Sequence, residues 1–387
     1  MMMPENESGD QSPHSKENCD VIIVGGGPAG SSCAWKLRDE GLDVVVVDRA
    51  SFPRDKVCAG WITPAVVEEL QLDLADYRRD RTLQPITGFV TGLIGGVEIT
   101  TEFDQPVSYG IRRCEFDDYL LRRCGARLCL NEPFRSLHRE GTSWILNERR
   151  QAPVLIGAGG HFCPVARRFM ADVNEQEDSV VAAQEIEFEM TDSQRELCTV
   201  SGTRPELFFC PDLRGYGWVF RKGEFLNVGL GRENETHLSS HRAAFVEWLQ
   251  ALGKIPHDVP QHFRGHAYRL RTKPRHVHEP GLLLIGDSAG LADHQSGEGI
   301  RPAIESGLLA ASAILECRSG QLSDLGAVFQ QKLHSRLSHQ SSTGLSGWIP
   351  TALRLSIARW LMRTHWFTRR VLLNRWFLHT EQPALRV

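Results

Sequence analysis

Residues 20–31 read DVIIVGGGPAGS, an apolar run followed directly by a run of glycines. The apolar run predicts a buried parallel strand, because it is continuous, rich in β-branched residues and does not alternate with polar positions. Gly25, Gly27 and Gly30 then match the pattern G-x-G-x-x-G at a strand-to-helix turn. In that pattern the first glycine permits the tight turn, the second lets a pyrophosphate approach the backbone, and the third lets the helix pack on the strand.

An acidic residue at the end of the next strand strengthens this prediction. The helix N-terminus near Gly27 and Pro28 would offer phosphates its free N–H groups and a partial positive charge. A second apolar run, Val44–Val47, ends at Asp48, eighteen residues after Gly30. A carboxylate at that distance can accept both hydroxyls of an adenosine ribose. The sequence therefore predicts a dinucleotide site; the alternative is a glycine-rich turn without a ligand.

Composition excludes several other classes of protein. The chain has 387 residues, of which 41% are hydrophobic and 24% charged, as in ordinary globular proteins. Its net charge of −4 argues against nucleic acid as the main partner. Ten scattered cysteines without C-x-x-C, and no N-terminal signal peptide, favour a reducing, cytoplasmic compartment. No apolar run is long enough to span a membrane, and we expect no metal site. Residues 1–18 are polar, and we expect them to be disordered.

The loop that follows the acidic strand end carries basic residues and a cysteine. Residues 49–61 contain a proline and a glycine, which indicate a loop near the ligand. Arg54 and Lys56 can meet phosphates there, and Cys58 is small enough to lie against a flat ring. The alternative is a solvated basic loop with a buried cysteine.

A second basic residue stands at the start of a later helix. Residues 111–121 predict an amphipathic helix, and Arg113 at its beginning can reach a ligand lying over the sheet. The alternative for Arg113 is a surface ion pair with Glu115 or Asp117.

Residues 86–110 and 179–270 have the short alternating segments of antiparallel strands. Alternation places Tyr216, Trp218 and Phe220 on one face of a strand, where they can form an apolar wall for a ligand. An ordinary sheet core is the alternative.

A third apolar run is predicted to end at the same nucleotide site. Residues 281–287 end in Gly-Asp, and Asp287 can hold a ribityl hydroxyl or contact a pyrophosphate through water. Gly297 and Gly299 precede a helix that is rich in small residues. The backbone N–H groups at these glycines can form a second anion-binding site. Two such helix ends far apart in sequence suit a long cofactor such as FAD, whereas NAD would not need the second one.

The C-terminal residues 345–387 hold four of the nine tryptophans, and seven arginines against one acid. Such a basic amphipathic segment can lie in a membrane interface, cover an apolar cavity or pack on the body of the protein. These three alternatives stay open at the level of sequence.

Together these segments resemble the geranylgeranyl reductase family of FAD-dependent oxidoreductases, which has the aromatic-hydroxylase type of FAD fold. The resemblance covers roughly residues 20–378 and rests on five motifs: Gly25/Gly27/Gly30 with Asp48; Pro53–Gly60; Arg113–Asp117; Tyr216–Phe220 with Asn227–Gly229; and Gly286-Asp287 with Gly297–Ile300.

The resemblance implies an α/β fold in which a Rossmann-type FAD-binding domain is interleaved with an antiparallel-sheet substrate domain. We assign 19–85, 111–178 and 271–344 to the first, 86–110 and 179–270 to the second, and 345–387 to a helical tail.

The resemblance also implies roles for individual residues. Ala29 and Asp48 match positions that contact the pyrophosphate and ribose, and Phe134 matches a backbone contact to the adenine. The remaining matches are a loop beside the flavin (Cys58, Ala59, Gly60), a cofactor-contacting arginine (Arg113), a closing segment (Asp287, Gly299, Ile300) and a prenyl-chain tunnel (Tyr216, Trp218, Phe220). Pro28 and Gly297 are predicted to bind the cofactor from their places at the two helix ends.

The implied activity is reduction of C=C bonds in an isoprenoid or related lipid by hydride transfer from reduced FAD. Cys58 is a candidate proton donor or flavin contact, and Glu298 and His294 are further catalytic candidates; Cys58 can equally be a packing residue. A single nucleotide fingerprint implies that NADPH or a reduced electron carrier binds transiently. The alternatives are a flavin monooxygenase or halogenase, although the halogenase motif W-x-W-x-I-P is absent from the sequence, and a non-catalytic lipid or electron carrier.

Overall fold

The computed structural model describes residues 16–169, 179–233, 236–270, 275–293, 296–318, 322–337 and 351–387. The strands in these ranges are β1 (Glu17–Asn18), β2 (Val21–Val24), β3 (Val44–Val47), β4 (Trp61–Ile62), β5 (Leu83–Ile86), β6 (Gly88–Leu93), β7 (Glu98–Glu102), β8 (Ser108–Ile111), β9 (Arg127–Cys129), β10 (Leu137–Glu140), β11 (Ser143–Leu146), β12 (Arg150–Ala152), β13 (Val154–Gly157), β14 (Ser179–Glu189), β15 (Glu206–Phe209), β16 (Gly215–Lys222), β17 (Phe225–Glu233), β18 (Arg264–Leu270) and β19 (Leu282–Leu284).

The helices in the same ranges are α1 (Pro28–Leu37), α2 (Pro64–Glu69), α3 (Leu74–Asp80), α4 (Arg113–Arg122), α5 (Pro164–Phe169), α6 (Asp192–Leu197), α7 (Leu238–Ala251), α8 (Ile300–Cys317), α9 (Leu325–Leu337), α10 (Thr351–Leu361) and α11 (His365–Phe367). Short 3-10 turns lie at Gly160–Phe162, Gly286–Ala289 and Leu322–Asp324, and a π-helical segment at Thr368–Phe377.

A five-stranded parallel sheet carries the glycine-rich turn. Its order is β19-β13-β2-β3-β9, and every pairing is parallel. All residues of β2, β3 and β13 are buried, which explains their continuous apolar sequences. Helices α1 and α8 approach each other closely, because a Cβ at Gly307 would lie 2.3 Å from the carbonyl oxygen of Ala29. The predicted Rossmann-type fold class is thus confirmed.

A seven-stranded sheet stands beside the parallel sheet. Its order is β18-β14-β17-β16-β15-β6-β7, antiparallel except for the parallel β15–β6 pair. Two of its strands, β6 and β7, come from early in the chain and the others from after residue 178, so the two sheets are interleaved in sequence. Phe245 of α7 lies against Gly217 of β16 and covers one face, beside the buried Phe208.

Two residues at the end of the predicted N-terminal tail belong to a strand. Residues 1–15 lie outside the described ranges, but Glu17 and Asn18 form β1 and pair in parallel with β12. The Glu17 carboxylate also forms an ion pair with Arg149 at 3.2 Å. The expectation of disorder through residue 18 is therefore wrong for these two residues, because backbone and side-chain partners fix them.

The C-terminal segment packs on the body of the protein. Leu372, Leu373 and Phe377 are buried in an apolar cluster with residues of β4, β6 and β16. The opposite side stays exposed, with Trp360 at 64% and Trp366 at 66% of their maximal accessible area. Residues 345–350 lie outside the described ranges. Within those ranges, no helix combines the length and apolarity needed to cross a membrane.

Candidate active site

A cavity of about 870 Å³ lies where the carboxyl ends of the parallel strands face the seven-stranded sheet. Its lining includes Gly25, Asp48 and Ile285, each directly after a parallel strand, and Ala183 and Trp218 of the antiparallel sheet. Ligands of open α/β sheets bind at this edge. The volume is in the range of cofactor and substrate pockets.

The three fingerprint glycines have the geometry that a pyrophosphate requires. Gly25 has φ of +120°, and a Cβ there would lie 2.3 Å from the carbonyl oxygen of Ala158. A Cβ at Gly30 would lie 2.0 Å from the carbonyl oxygen of Gly25, so this glycine is needed for packing rather than for ligand contact. A Cβ at Gly27 would meet only a guanidinium nitrogen of Arg54, at 3.3 Å. The space above the start of α1 is therefore open to a ligand.

Asp48 lies at the predicted ribose end of the cavity. Its Oδ2 accepts a hydrogen bond from the Gly26 N–H at 2.8 Å, and its Oδ1 accepts one from the Ala50 N–H at 2.9 Å. Each carboxylate oxygen has a further lone pair, so both can still accept ribose hydroxyls. Phe134 also lines the cavity.

Two arginines share one buried aspartate beside the glycine-rich turn. Arg113 forms two hydrogen bonds with Asp117, at 2.9 and 3.0 Å, and Arg54 forms an ion pair with the same carboxylate at 3.4 Å. Burial lowers the pKa of the Arg113 guanidinium, but the charge of Asp117 and contacts with Cys58 raise it by more, so it stays charged. Arg113 thus lines the cavity, and its ion pair with Asp117 is buried, so the alternative of a surface ion pair is wrong in its location.

Lys56, His266 and Asp287 form a polar cluster on the cavity wall. Lys56 Nζ lies 2.8 Å from His266 Nε2. Burial, and the positive charges of Lys56, His161 and Arg113, lower the pKa of His266 to about 4, so its imidazole is neutral at physiological pH. Burial raises the pKa of Asp287, whereas Lys56 and Arg113 lower it less strongly. His266 escaped the sequence analysis, because a single histidine in a strand carries no motif.

The Cys58 loop is tied to the seven-stranded sheet through its backbone. The Cys58 N–H donates to Glu185 Oε1 at 2.6 Å, and Asn227 Nδ2 donates to the Cys58 carbonyl at 3.3 Å. Trp218 Nε1 donates in turn to Asn227 Oδ1 at 2.7 Å. Burial raises the pKa of Glu185 to about 7, although the Cys58 N–H lowers it. The loop is completed by Ala59, which lines the cavity, and by Gly60, whose φ is +72°.

The aromatic motif of β16 reaches the cavity with two of its three rings. Tyr216 and Trp218 line the cavity, and a Cβ at Gly229 on the neighbouring strand would lie 2.3 Å from the Trp218 ring. Phe220 shares their strand face but is not part of the lining, because it stacks on Trp61 with ring centroids 4.9 Å apart. Phe220 therefore packs against Trp61, a lining residue, and does not border the cavity itself.

The closing segment before α8 borders the same cavity. Gly297, Glu298, Gly299 and Ile300 all line it. Glu298 Oε2 lies 3.3 Å from His379 Nε2 of the C-terminal segment, a contact that sequence analysis missed because the two residues are far apart in the chain. His294 lies outside the described residues. Within them, no group of three or more acidic, histidine or cysteine side chains could hold a metal ion.

Comparison with known proteins agrees with this geometry. The family model described as FAD dependent oxidoreductase matches residues 20–90. A menaquinone reductase of Mycobacterium tuberculosis is 29% identical over 92% of this chain and 88% of its own. A digeranylgeranylglycerophospholipid reductase of Methanocaldococcus jannaschii is 26% identical over 75% of each chain.

A solved structure, a geranylgeranyl bacteriochlorophyll reductase-like protein from Thermoplasma acidophilum, has a TM-score of 0.69 at 22% identity and covers 90% of this chain and 88% of its own.

The chain is an FAD-dependent oxidoreductase. The resemblance to geranylgeranyl reductases is confirmed by these relatives. The site of this oxidoreductase fits FAD, because the open space at Gly27, the acceptors of Asp48 and the buried Asp287 border one elongated cavity. Flavin-dependent halogenases share the fold, so the fold alone does not separate reduction from halogenation.

Proposed function

We propose that this oxidoreductase reduces C=C bonds of an isoprenoid or related lipid. The observation that carries the proposal is the continuity of one cavity from the glycine-rich turn to the aromatic pair Tyr216 and Trp218. Bound and reduced, FAD supplies the hydride. The names of the relatives, a menaquinone reductase and a digeranylgeranylglycerophospholipid reductase, support a substrate with an apolar, unsaturated character.

In this proposal the two parts of the cavity bind different molecules. FAD is bound by the region formed by residues 19–85, 111–178 and 271–344. The lipid chain is bound by the region formed by residues 86–110 and 179–270. On the cofactor side we assign the pyrophosphate to the start of α1 with Arg54 and Arg113, and the ribose to Asp48. On the lipid side the chain would lie along Tyr216 and Trp218. Phe134 is proposed to contact the adenine beside Asp48, and the proposed contacts on the other side of the pyrophosphate are Asp287, Gly297, Gly299 and Ile300.

Cys58 is proposed to act beside the reacting ring, as a proton donor or as a contact that orients it. Its loop is held by Glu185 and Asn227, so the backbone of Cys58 is tied to the strand pair that carries Trp218. The electron donor is proposed to be NADPH or a reduced carrier that binds transiently, since the sequence contains one dinucleotide fingerprint.

Anaerobic turnover tests the proposed reaction. Purified protein loaded with FAD and reduced with dithionite should add two mass units for each double bond of a polyprenyl lipid, as read by mass spectrometry. Dithionite with free FAD and no protein is the control and should leave the lipid unchanged. A product that gains oxygen when air is admitted would instead establish a monooxygenase, and an unchanged lipid under both conditions would favour a carrier.

We further propose that the exposed side of the C-terminal segment contacts a membrane peripherally. Trp360, Trp366 and the 42% exposed Ile357 belong to the exposed part of this segment, which also includes Arg363 and Arg370. Aromatic side chains with basic neighbours suit an anionic lipid interface. Such contact would bring the cavity close to a lipid substrate in a cytoplasmic, peripheral location.

Liposome flotation tests this contact. The double variant W360S/W366S should float with vesicles of anionic phospholipid at least tenfold less than the parent, because a loss of about 1.4 kcal/mol of binding free energy lowers affinity tenfold. Deleting the whole segment would be a poorer test, since it would uncover the apolar cluster around Phe377. Leu197→Ser is the matched control: this side chain is 60% exposed on α6, and its loss should not change flotation. Unchanged flotation of the double variant would contradict membrane contact.

A further inference from the structure

The Glu298 side chain is a buried acid on the wall of the proposed active site. It lines the cavity, its side chain is 6% exposed, and no group of the described chain donates a well-aligned hydrogen bond to either carboxylate oxygen. Burying a carboxylate without hydrogen bonds is unfavourable. Such a group is retained where its proton or its charge has a use.

His379 is the one cation of the described chain that forms an ion pair with Glu298. Its Nε2 lies 3.3 Å from Glu298 Oε2, and its side chain is 13% exposed, so the imidazole has access to water. The backbone of His379 has φ of +46°, a left-handed conformation that is unusual for residues other than glycine and asparagine. The surrounding structure must therefore hold this residue in place.

A buried ionic cluster anchors the peptide that follows His379. Arg301 of α8 donates to the Gln382 carbonyl at 3.1 Å and to the Pro383 carbonyl at 2.9 Å. It is paired with Glu69 at 3.1 Å, and Glu69 Oε1 accepts the Leu385 N–H at 3.0 Å. Arg301 stands three residues after Glu298, so the same helix start positions both members of the Glu298–His379 pair.

We propose that Glu298 and His379 form a proton relay from solvent to the cavity. The proposal rests on the proposed function, since saturating one double bond adds a hydride from reduced FAD, which becomes oxidised, to one carbon and a proton to the other. In the relay the imidazolium of His379 passes its Nε2 proton to the Glu298 carboxylate, and the carboxyl so formed gives that proton to the substrate carbon. The neutral imidazole of His379 then takes a new proton from solvent. Glu298 is thus a catalytic residue, and His379 acts through it.

The charges around His379 keep its imidazole protonated up to a higher pH than is usual for histidine, so that it can serve as a proton donor. Burial lowers the pKa of the imidazole, but Glu298 and Asp293 raise it by more than burial and Arg301 lower it, so the pKa lies above its usual value. The imidazolium therefore persists as pH rises until this raised pKa is passed. Turnover should fall as pH rises through it.

Variants at position 379 can be chosen to keep the backbone conformation. Asparagine and glycine both tolerate positive φ, so His379→Asn and His379→Gly should leave the segment docked. Glu298→Gln keeps the size of the side chain but removes its acid. His365→Ala is the matched control, because His365 is an exposed histidine in the same segment.

Single-turnover kinetics with FAD-loaded protein and a polyprenyl lipid test the relay. Glu298→Gln and His379→Asn should lower the reduction rate at least tenfold with little change in the lipid concentration that gives half the maximal rate, and His379→Asn should lose the fall in rate at high pH. Added imidazole should restore much of the rate of His379→Gly, and His365→Ala should behave as wild type. A readout without turnover is the His379 pKa by NMR, which should fall in Glu298→Gln.

Each other outcome has a defined meaning. An active wild type whose Glu298→Gln and His379→Asn variants keep full rate would overturn the relay alone. Slow variants with an unchanged pH profile and no rescue by imidazole would also overturn it, in favour of a purely structural ion pair. A wild type that reduces no polyprenyl lipid would overturn the proposed function, and with it the relay.

Discussion

Gly27→Ala lowers the affinity for FAD by about a hundredfold while the protein stays folded. The backbone at Gly27 has φ of −73° and ψ of −175°, which any residue can adopt, and a Cβ would meet only Arg54 at 3.3 Å. Folding should therefore be nearly unaffected. The added methyl group would occupy the open space at the start of α1, where the pyrophosphate approaches the backbone. Losing one or two hydrogen bonds to a charged group costs about 1.5–3 kcal/mol each, which corresponds to roughly 10- to 100-fold or more in affinity.

Two companion variants separate binding from folding in this experiment. Gly326→Ala lies in α9 with open space around it, and should bind FAD as the parent does. Gly30→Ala should unfold the protein readily, because its Cβ would lie 2.0 Å from the carbonyl oxygen of Gly25. FAD titration by fluorescence quenching and thermal unfolding of the apoprotein are the measurements. Wild-type affinity in Gly27→Ala would contradict the assignment of the phosphate site.

The glycine-rich turn could be predicted from sequence because its physics is local. Gly25 and Gly30 are required by backbone atoms within the same strand–turn–helix unit or on the adjacent strand, and a strand that is buried on both faces has a continuous apolar sequence. Asp48 follows from the same reasoning, since parallel neighbours end at the same edge of the sheet. The positive φ of Gly25 and the packing of Gly30 on Gly25 are local, whereas the close approach of Ala158 to Gly25 appears only in the folded chain.

The partners of the charged residues could not be predicted, because they come from far away in sequence. In the sequence, nothing distinguishes Arg54 from the other basic residues of its loop. The structure shows that its ion-pair partner is Asp117. His266 and His379 carry no motif, and only the folded chain brings them to Lys56 and Glu298. Electrostatic partners depend on tertiary contacts that a local pattern does not contain.

Alternation along β16 gave the shared face of its aromatic residues but not the extent of the cavity. Trp61 and the C-terminal segment fill the space next to Phe220, so Trp61 lines the cavity and Phe220 does not. For residues 345–387, the composition was compatible with packing and with membrane contact. In the structure Leu372, Leu373 and Phe377 are buried, whereas Trp360 and Trp366 are exposed, so the segment has a packed part and an exposed part.

Phe377→Ala is expected to lower the free energy of unfolding by about 3–5 kcal/mol, the usual range for removing a buried phenylalanine. The side chain is fully buried, and its ring lies edge-on to Trp61 at 5.7 Å, to Tyr216 at 5.5 Å and to Phe209 at 6.2 Å between centroids. Its removal leaves a cavity behind Tyr216 that the flanking strands cannot close, since β4 and β16 are held in separate sheets.

Urea unfolding of Phe377→Ala against Trp366→Ala measures this effect within one segment. Trp366 is 66% exposed, so its replacement should change stability by less than about 0.5 kcal/mol. Because Phe377 touches Tyr216 from behind, its loss should also let Tyr216 move and raise the KM for a lipid substrate more than it lowers kcat. Equal stability of the two variants would mean that the C-terminal segment does not pack on the aromatic wall in solution. The packing of Phe377 would then not help to position His379, two residues further along the chain.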